Sequence, residues 1–143
     1  MKLSKWVLVG FLGLMACCTR IHGGVTPISP RAKQSMTTVE TLQPTFRWEP
    51  AAEGDVRYDF IILESHPHYR GVVGREIYYR EGLQEPEHTL EVSLQPYRVY
   101  YWSVRLRHGQ EVSEWSGPAY ANVGWPGFQI GDRAFFTFRT PSK

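Results

Sequence analysis

An all-β fold, built as a sandwich of two sheets or a closed barrel, is what this chain predicts, on three observations. From about residue 43 onward, short segments alternate apolar and polar residues, and turn-forming residues separate them. No segment sustains the 3.6-residue apolar period of an amphipathic helix. The length left after the N-terminal portion, about 100 residues, suits one domain around one core.

The N-terminal portion comes first. Lys2 and Lys5 precede an apolar run from Trp6 to Met15, and Ala16 stands before Cys17, which is the order of a secretory signal. A membrane-crossing helix needs about 20 apolar residues, whereas here Arg20 and His22 follow the run closely. Leu14-Met15-Ala16-Cys17 resembles the lipobox of bacterial lipoproteins. The resemblance implies cleavage after Ala16, with lipid on the sulfur and the new amino group of Cys17. A cut one residue later, at Cys18, would lose Leu14 from its favoured place. One acyl chain holds a protein only reversibly, at about 0.8 kcal/mol per buried methylene, so stable anchoring takes two or more. The multiply acylated cysteine of that family meets this condition. The expected organisation is a signal peptide over 1–16, a lipidated cysteine and linker over 17–41, and a β-sandwich over 42–143. The implied location is the bacterial cell envelope, with the outer membrane favoured because Cys18 rather than an aspartate follows the acceptor.

Loss of the leader also changes the charge. The full chain holds 16 Lys and Arg against 14 Asp and Glu, and the leader's two lysines account for the excess. A nucleic-acid footprint would need basic residues clustered on one face, so no nucleic-acid partner is expected. Only Cys18 remains beside the anchor, so no disulfide can form inside the domain.

Residues 19–41 carry Gly23, Gly24, Pro27 and Pro30 without sustained periodicity and read as linker. Thr37, Thr38 and Val39 could supply a weak first strand between Met36 and Leu42. Phe46 and Trp48 alternate with Arg47 and Glu49 between Pro44 and Pro50. Tyr58, Phe60 and Ile62 share one face of the next segment and Asp59, Ile61 and Leu63 the other, so this strand is expected to be buried on much of both sides. The run 75–80 sets Ile77 and Tyr79 opposite Glu76, Tyr78 and Arg80. His88, Leu90 and Val92 alternate with Thr89, Glu91 and Ser93. Tyr100, Trp102, Val104 and Leu106 line one face of the clearest strand, with Tyr101, Ser103, Arg105 and Arg107 behind them and Gly109-Gln110 as its turn. A last strand, about 134–140, turns Phe136 and Phe138 inward.

Leu94-Gln95-Pro96, followed by Tyr100, Trp102 and Val104, resembles the entry into strand F of fibronectin type III domains, an immunoglobulin-like β-sandwich family. The resemblance implies a tyrosine corner, in which the Tyr100 phenol oxygen bonds back to upstream backbone. Trp48, with Phe46 before it and Pro50 after, resembles the core tryptophan of strand B. The likeness covers roughly residues 43–140, although 117–132 is longer than the usual link into the last strand. Val112-Ser113-Glu114-Trp115-Ser116 resembles the W-S-x-W-S box of cytokine-receptor modules, with Val112 in place of the first tryptophan. That likeness implies a structural ladder in which Arg105 and Arg107 reach Trp115, a guanidinium over an indole contributing about 0.5–1 kcal/mol at an exposed site.

Chemistry is hard to find. His66-Pro67-His68 offers two ligands where zinc needs three or four, so a polar loop is expected and no metal. His88 reads as a hydrogen-bonded core or edge residue and His22 as part of the linker. Ser103, Ser113 and Ser116 lack a G-x-S-x-G elbow. Glu85 and Glu87 flank Pro86 in a solvated link, and Gly71 to Gly74 encloses Val72 and Val73 rather than opening a helix over a phosphate. The expectation is a non-catalytic binding or structural module without a cofactor.

The candidate binding surface is Tyr120, Trp125 and Phe128, interleaved with Gly117, Pro118, Gly124, Pro126 and Gly127. Such rings either fold back to cap the end of the sandwich or remain exposed on a loop, where folds of this kind bind. Exposed, they suit a protein partner, for which Trp and Tyr are favoured anchors, or the faces of sugar rings on an envelope glycan. Trp125, held between Gly124 and Pro126, is the first choice.

Overall fold

The computed structural model describes residues 24–30, 36–51, 54–69, 72–116 and 135–143. Among them there is no helix. Nine strands follow in order: β1 (Pro27–Ser29), β2 (Thr37–Thr38), β3 (Thr45–Trp48), β4 (Arg57–Ser65), β5 (Val73–Leu83), β6 (Glu87–Thr89), β7 (Val99–His108), β8 (Glu111–Val112) and β9 (Phe136–Arg139). They form a sandwich of two sheets, one ordered β1-β3-β6 and the other β2-β9-β7-β4-β5, with β8 also paired to β7.

Alternation in the sequence becomes inside and outside. Phe46 and Trp48 leave β3 toward the second sheet, while Arg47 stays in water and pairs with Glu87 across β6 at 3.0 Å. Phe46 is fully buried and sits at the centre. Its ring lies 4.9 Å from Phe60, 5.0 Å from Trp102 and 5.3 Å from Phe138, so one residue of the small sheet touches three strands of the large one. Tyr58, Ile62, Leu90, Leu94, Tyr100, Val104 and Phe136 complete this cluster.

The large sheet is apolar on its other face as well. Ile61, Leu63, Tyr101 and Phe135 form a second buried cluster, with Val73, Tyr79 and Trp115 against it. Ile61 and Leu63 on the second face of β4 anticipate this, with Asp59 as the polar member of that face.

Three sequence expectations need correction. Residues 24–41 are not all linker. Val25 is buried in the main cluster and β1 pairs with β3, because backbone donors along the β3 edge need partners, while β2 falls within the weak strand expected between Met36 and Leu42 and pairs in parallel with β9. Ile77 does not share a face with Tyr79. The β4–β5 register passes from Ile62↔Tyr78 to Leu63↔Glu76, so Ile77 is the extra residue of a bulge, and both Ile77 and Tyr78 pack on the main cluster. Nearby, Gly74 is needed because a Cβ there would come within 2.9 Å of the Glu64 carbonyl oxygen. Val92, expected inside, is exposed, since β6 ends at Thr89 and the alternation stops with it.

Strand β7 carries two partners on one edge. Residues 111–116 run beside it through Arg107↔Val112, Ser113 N–H to Leu106 O and Ser116 N–H to Val104 O. Beyond that point β9 takes over, with Phe136 opposite Trp102.

Candidate functional site

The two ends of the sandwich differ. Glu49 N–H donates to Thr26 O at 2.8 Å and Pro27 lies opposite Trp48, on the side where Trp48 meets Tyr58 at the start of β4. The opposite end, where β4 finishes and β7 starts, holds a cleft of about 590 Å3. Glu64 and Ser65 of β4 and the 66–68 loop form one wall. The 95–98 turn, Val99 and Tyr100 form the other.

The turn wall is held tightly. Pro96 followed by Tyr97 at φ +55° has the pattern of a type II turn, whose third residue needs a left-handed backbone and favours glycine. A tyrosine there is strained by about 1–3 kcal/mol. Its neighbours hold it in place. Tyr97 N–H donates to Pro141 O at 3.0 Å and Thr140 N–H to Arg98 O at 2.9 Å. The buried Thr140 hydroxyl accepts from Arg98 N–H at 2.9 Å and donates to Gln95 O at 2.7 Å. Tyr97 is nevertheless 73% exposed, so its side chain contributes little to the core.

The loop wall closes through His66 N–H to Val72 O at 2.8 Å. His66 Nδ1 accepts from His68 N–H at 3.2 Å, which leaves Nε2–H as the donor of the neutral ring. The Tyr69 ring, 63% exposed, lies 4.9 Å from the His66 ring. Glu64 is neutralised by Arg75 at 2.7 Å. Tyr101 bonds Ser65 just behind the cleft, and burial pushes its phenol above the usual value, partly offset by that bond.

The residues singled out by sequence fall in several places. Trp48 is buried, with its Nε1 unpaired among the described residues. Trp102 Nε1 donates to Pro30 O at 3.2 Å. Leu94 is buried and Pro96 lies on the exposed turn. Gln95 N–H donates to the Tyr100 hydroxyl at 3.1 Å, five residues upstream. Tyr100→Phe is therefore expected to cost about 1–3 kcal/mol, toward the lower bound because Gln95 is exposed and water can reach its amide. A denaturant melt of the variant measures it.

On the outer face of the large sheet, Arg105 lies 4.6 Å from the centre of the Trp115 ring. Arg107 does not join the ladder. Its guanidinium is drawn to the fully buried Asp59, at 2.8 Å, and to Glu81 at 3.2 Å, because a buried carboxylate outcompetes a ring face for a cation. Arg105 bonds Asp59 too, at 2.8 Å. Burial alone would push the Asp59 carboxyl up, but hydrogen bonds from Arg107, Arg105 and the Gly82 amide hold it below the usual carboxylate value.

Cys17, Tyr120, Trp125 and Phe128 lie outside the described residues. The residues flanking 117–134 lie along the β7 edge, Ser116 beside Val104 and Phe136 opposite Trp102. Ser116 is held there by two further bonds. Its hydroxyl accepts from Val25 N–H, and its carbonyl accepts from the Ser103 hydroxyl. His88 bonds the Tyr78 hydroxyl at 2.7 Å, and burial lowers its pKa, with Glu91 opposing and Arg80 assisting. Among the described residues, no three His, Cys, Asp or Glu side chains come together as a metal site.

No family model, curated protein or solved structure matches this chain.

Proposed function

We propose that the protein is a lipid-anchored, non-catalytic module of the bacterial cell envelope that binds a protein partner through the end of a fibronectin type III-like sandwich. The fold reading is supported by the distribution of strands. The first, third and sixth strands share one sheet, while β4, β7 and β9 lie in the other, in the manner of strands A, B, E against C, F, G. The Tyr100–Gln95 bond has the form of a tyrosine corner.

The observation that carries the binding reading is the cleft at the end where β4 finishes and β7 starts. Tyr97, 73% exposed beside that cleft, is where a partner can reach the domain. The anchor is tested by Cys17→Ser, which should leave an unprocessed precursor that takes up no labelled fatty acid. Labelling at the wild-type level removes the anchor. In-cell crosslinking that yields no discrete protein adduct removes the protein partner and leaves an envelope glycan as the ligand to test.

A further inference from the structure

We infer that the cleft between the 66–68 loop and the 95–98 turn binds an acidic segment of the partner protein, with Tyr97 as the apolar anchor and Arg98 as the charge contact. The inference rests on the protein-binding reading above and supplies its site.

Tyr97 is the first reason. A type II turn at this position is at ease with glycine, yet the chain places there a large ring that is 73% exposed and makes the backbone strained. The fold does not need that ring. A binding surface does, because tyrosine supplies a large contact area at low ordering cost. The clamp from Thr140 and Pro141 holds the ring's backbone in place before a partner arrives, which lowers that cost further.

Charge is the second reason. Arg47, Arg57, Arg75, Arg80, Arg105 and Arg107 each pair with a carboxylate. Among the described residues Arg98 and Arg139 have no such partner, and both lie at this end of the sandwich. Arg98 lines the cleft, and Arg139 is registered directly opposite Val99, which lines it too. Glu64, the one carboxylate on the cleft wall among the described residues, is already neutralised by Arg75. His66 lines the cleft too, and with its Nδ1 accepting from His68 N–H its Nε2–H, unpaired among the described residues, adds a further donor for a carboxylate. Neighbouring Tyr and Arg are the residue types that dominate binding energy in protein interfaces.

The test uses the full lipidated chain in detergent micelles, offered a phage library of random linear peptides. Enriched peptides are expected to carry Asp or Glu beside an apolar residue. Tyr97→Gly should weaken the best of them about tenfold, the scale of losing one contact worth about 1.4 kcal/mol, while the melting midpoint stays level or rises because the strain is gone. Arg98→Glu should reverse the preference toward Lys and Arg. The inference is overturned by an absence of enrichment, by peptides with no acidic preference, or by peptides indifferent to both substitutions. It is also overturned if tetragalacturonate displaces the peptides and binds more tightly, which assigns the cleft to acidic sugars. If in-cell crosslinking to a protein survives the Tyr97→Gly, Arg98→Glu pair unchanged, the binding module stands and this site falls.

Discussion

Trp48→Ala is expected to lower the stability of the domain by about 3–5 kcal/mol, through lost burial and the cavity left behind. Trp48 is 1% exposed and packs 5.4 Å from the Tyr58 ring and 6.2 Å from Phe60, so it fills space between the sheets that no neighbour can reach. Most single domains are stable by about 5–15 kcal/mol, and the variant would retain only part of that. The unpaired Nε1 refines the expectation. An unsatisfied buried donor carries its own desolvation penalty, so Trp48→Phe, which keeps an aromatic ring and removes the donor, should lose clearly less than Trp48→Ala. Urea melts followed by circular dichroism measure both. A neutral Trp48→Ala would remove Trp48 from the centre of the sandwich.

Asp59→Ala should cost a similar amount, about 3–5 kcal/mol, because removing one member of a buried ion pair strands the others. Asp59 is fully buried and bonds two guanidinium groups and the Gly82 amide. The effect should fall toward the lower bound, since both arginine side chains keep 21% of their surface in water and Arg107 retains Glu81. The pH dependence has a definite sign. The folded-state pKa of Asp59 is held below the value of about 3.9 expected when unfolded. Between the two values the unfolded chain binds more protons, so stability rises with pH there. The contribution is complete above the unfolded value and is lost as pH falls through the folded one. Wild type and Asp59→Asn should therefore differ most near neutrality and converge below about pH 4. A gap that persists unchanged in acid would mean that the carboxylate's charge is not what holds the network.

Much of the main core is legible in the order of residues alone. Phe46, Trp48, Tyr58, Phe60, Ile62, Trp102, Phe136 and Phe138 read as inward from period-2 alternation, and all lie in the main cluster. Alternation misleads where the period is interrupted. The bulge at Ile77 shifts the phase of β5, and the end of β6 at Thr89 releases Val92 to solvent. Neither event leaves a local composition signal.

The cleft is less legible than the core. His66 and His68 stand out as a polar loop, and Pro96 as part of the Leu94-Gln95-Pro96 entry into the following strand. Tyr97 and Arg98 do not stand out. Their one signal in the sequence is a proline followed by a bulky residue where a turn prefers glycine. It takes on meaning only once the backbone places Tyr97 in the left-handed region and leaves its ring exposed.

Facing along the uninterrupted runs of β3, β4, β7 and β9 was determined by the sequence itself, because side-chain alternation is a property of consecutive residues. Tertiary structure decided which residues meet. Asp59 gathers Arg105 and Arg107 only because β4 and β7 pair in one register, and a slip of one residue would turn every such side chain to the other face. Thr140 can clamp the turn beside Tyr97 only because the last strand ends next to the start of β7. Long-range pairing sets such contacts, and no stretch of neighbouring residues encodes it alone.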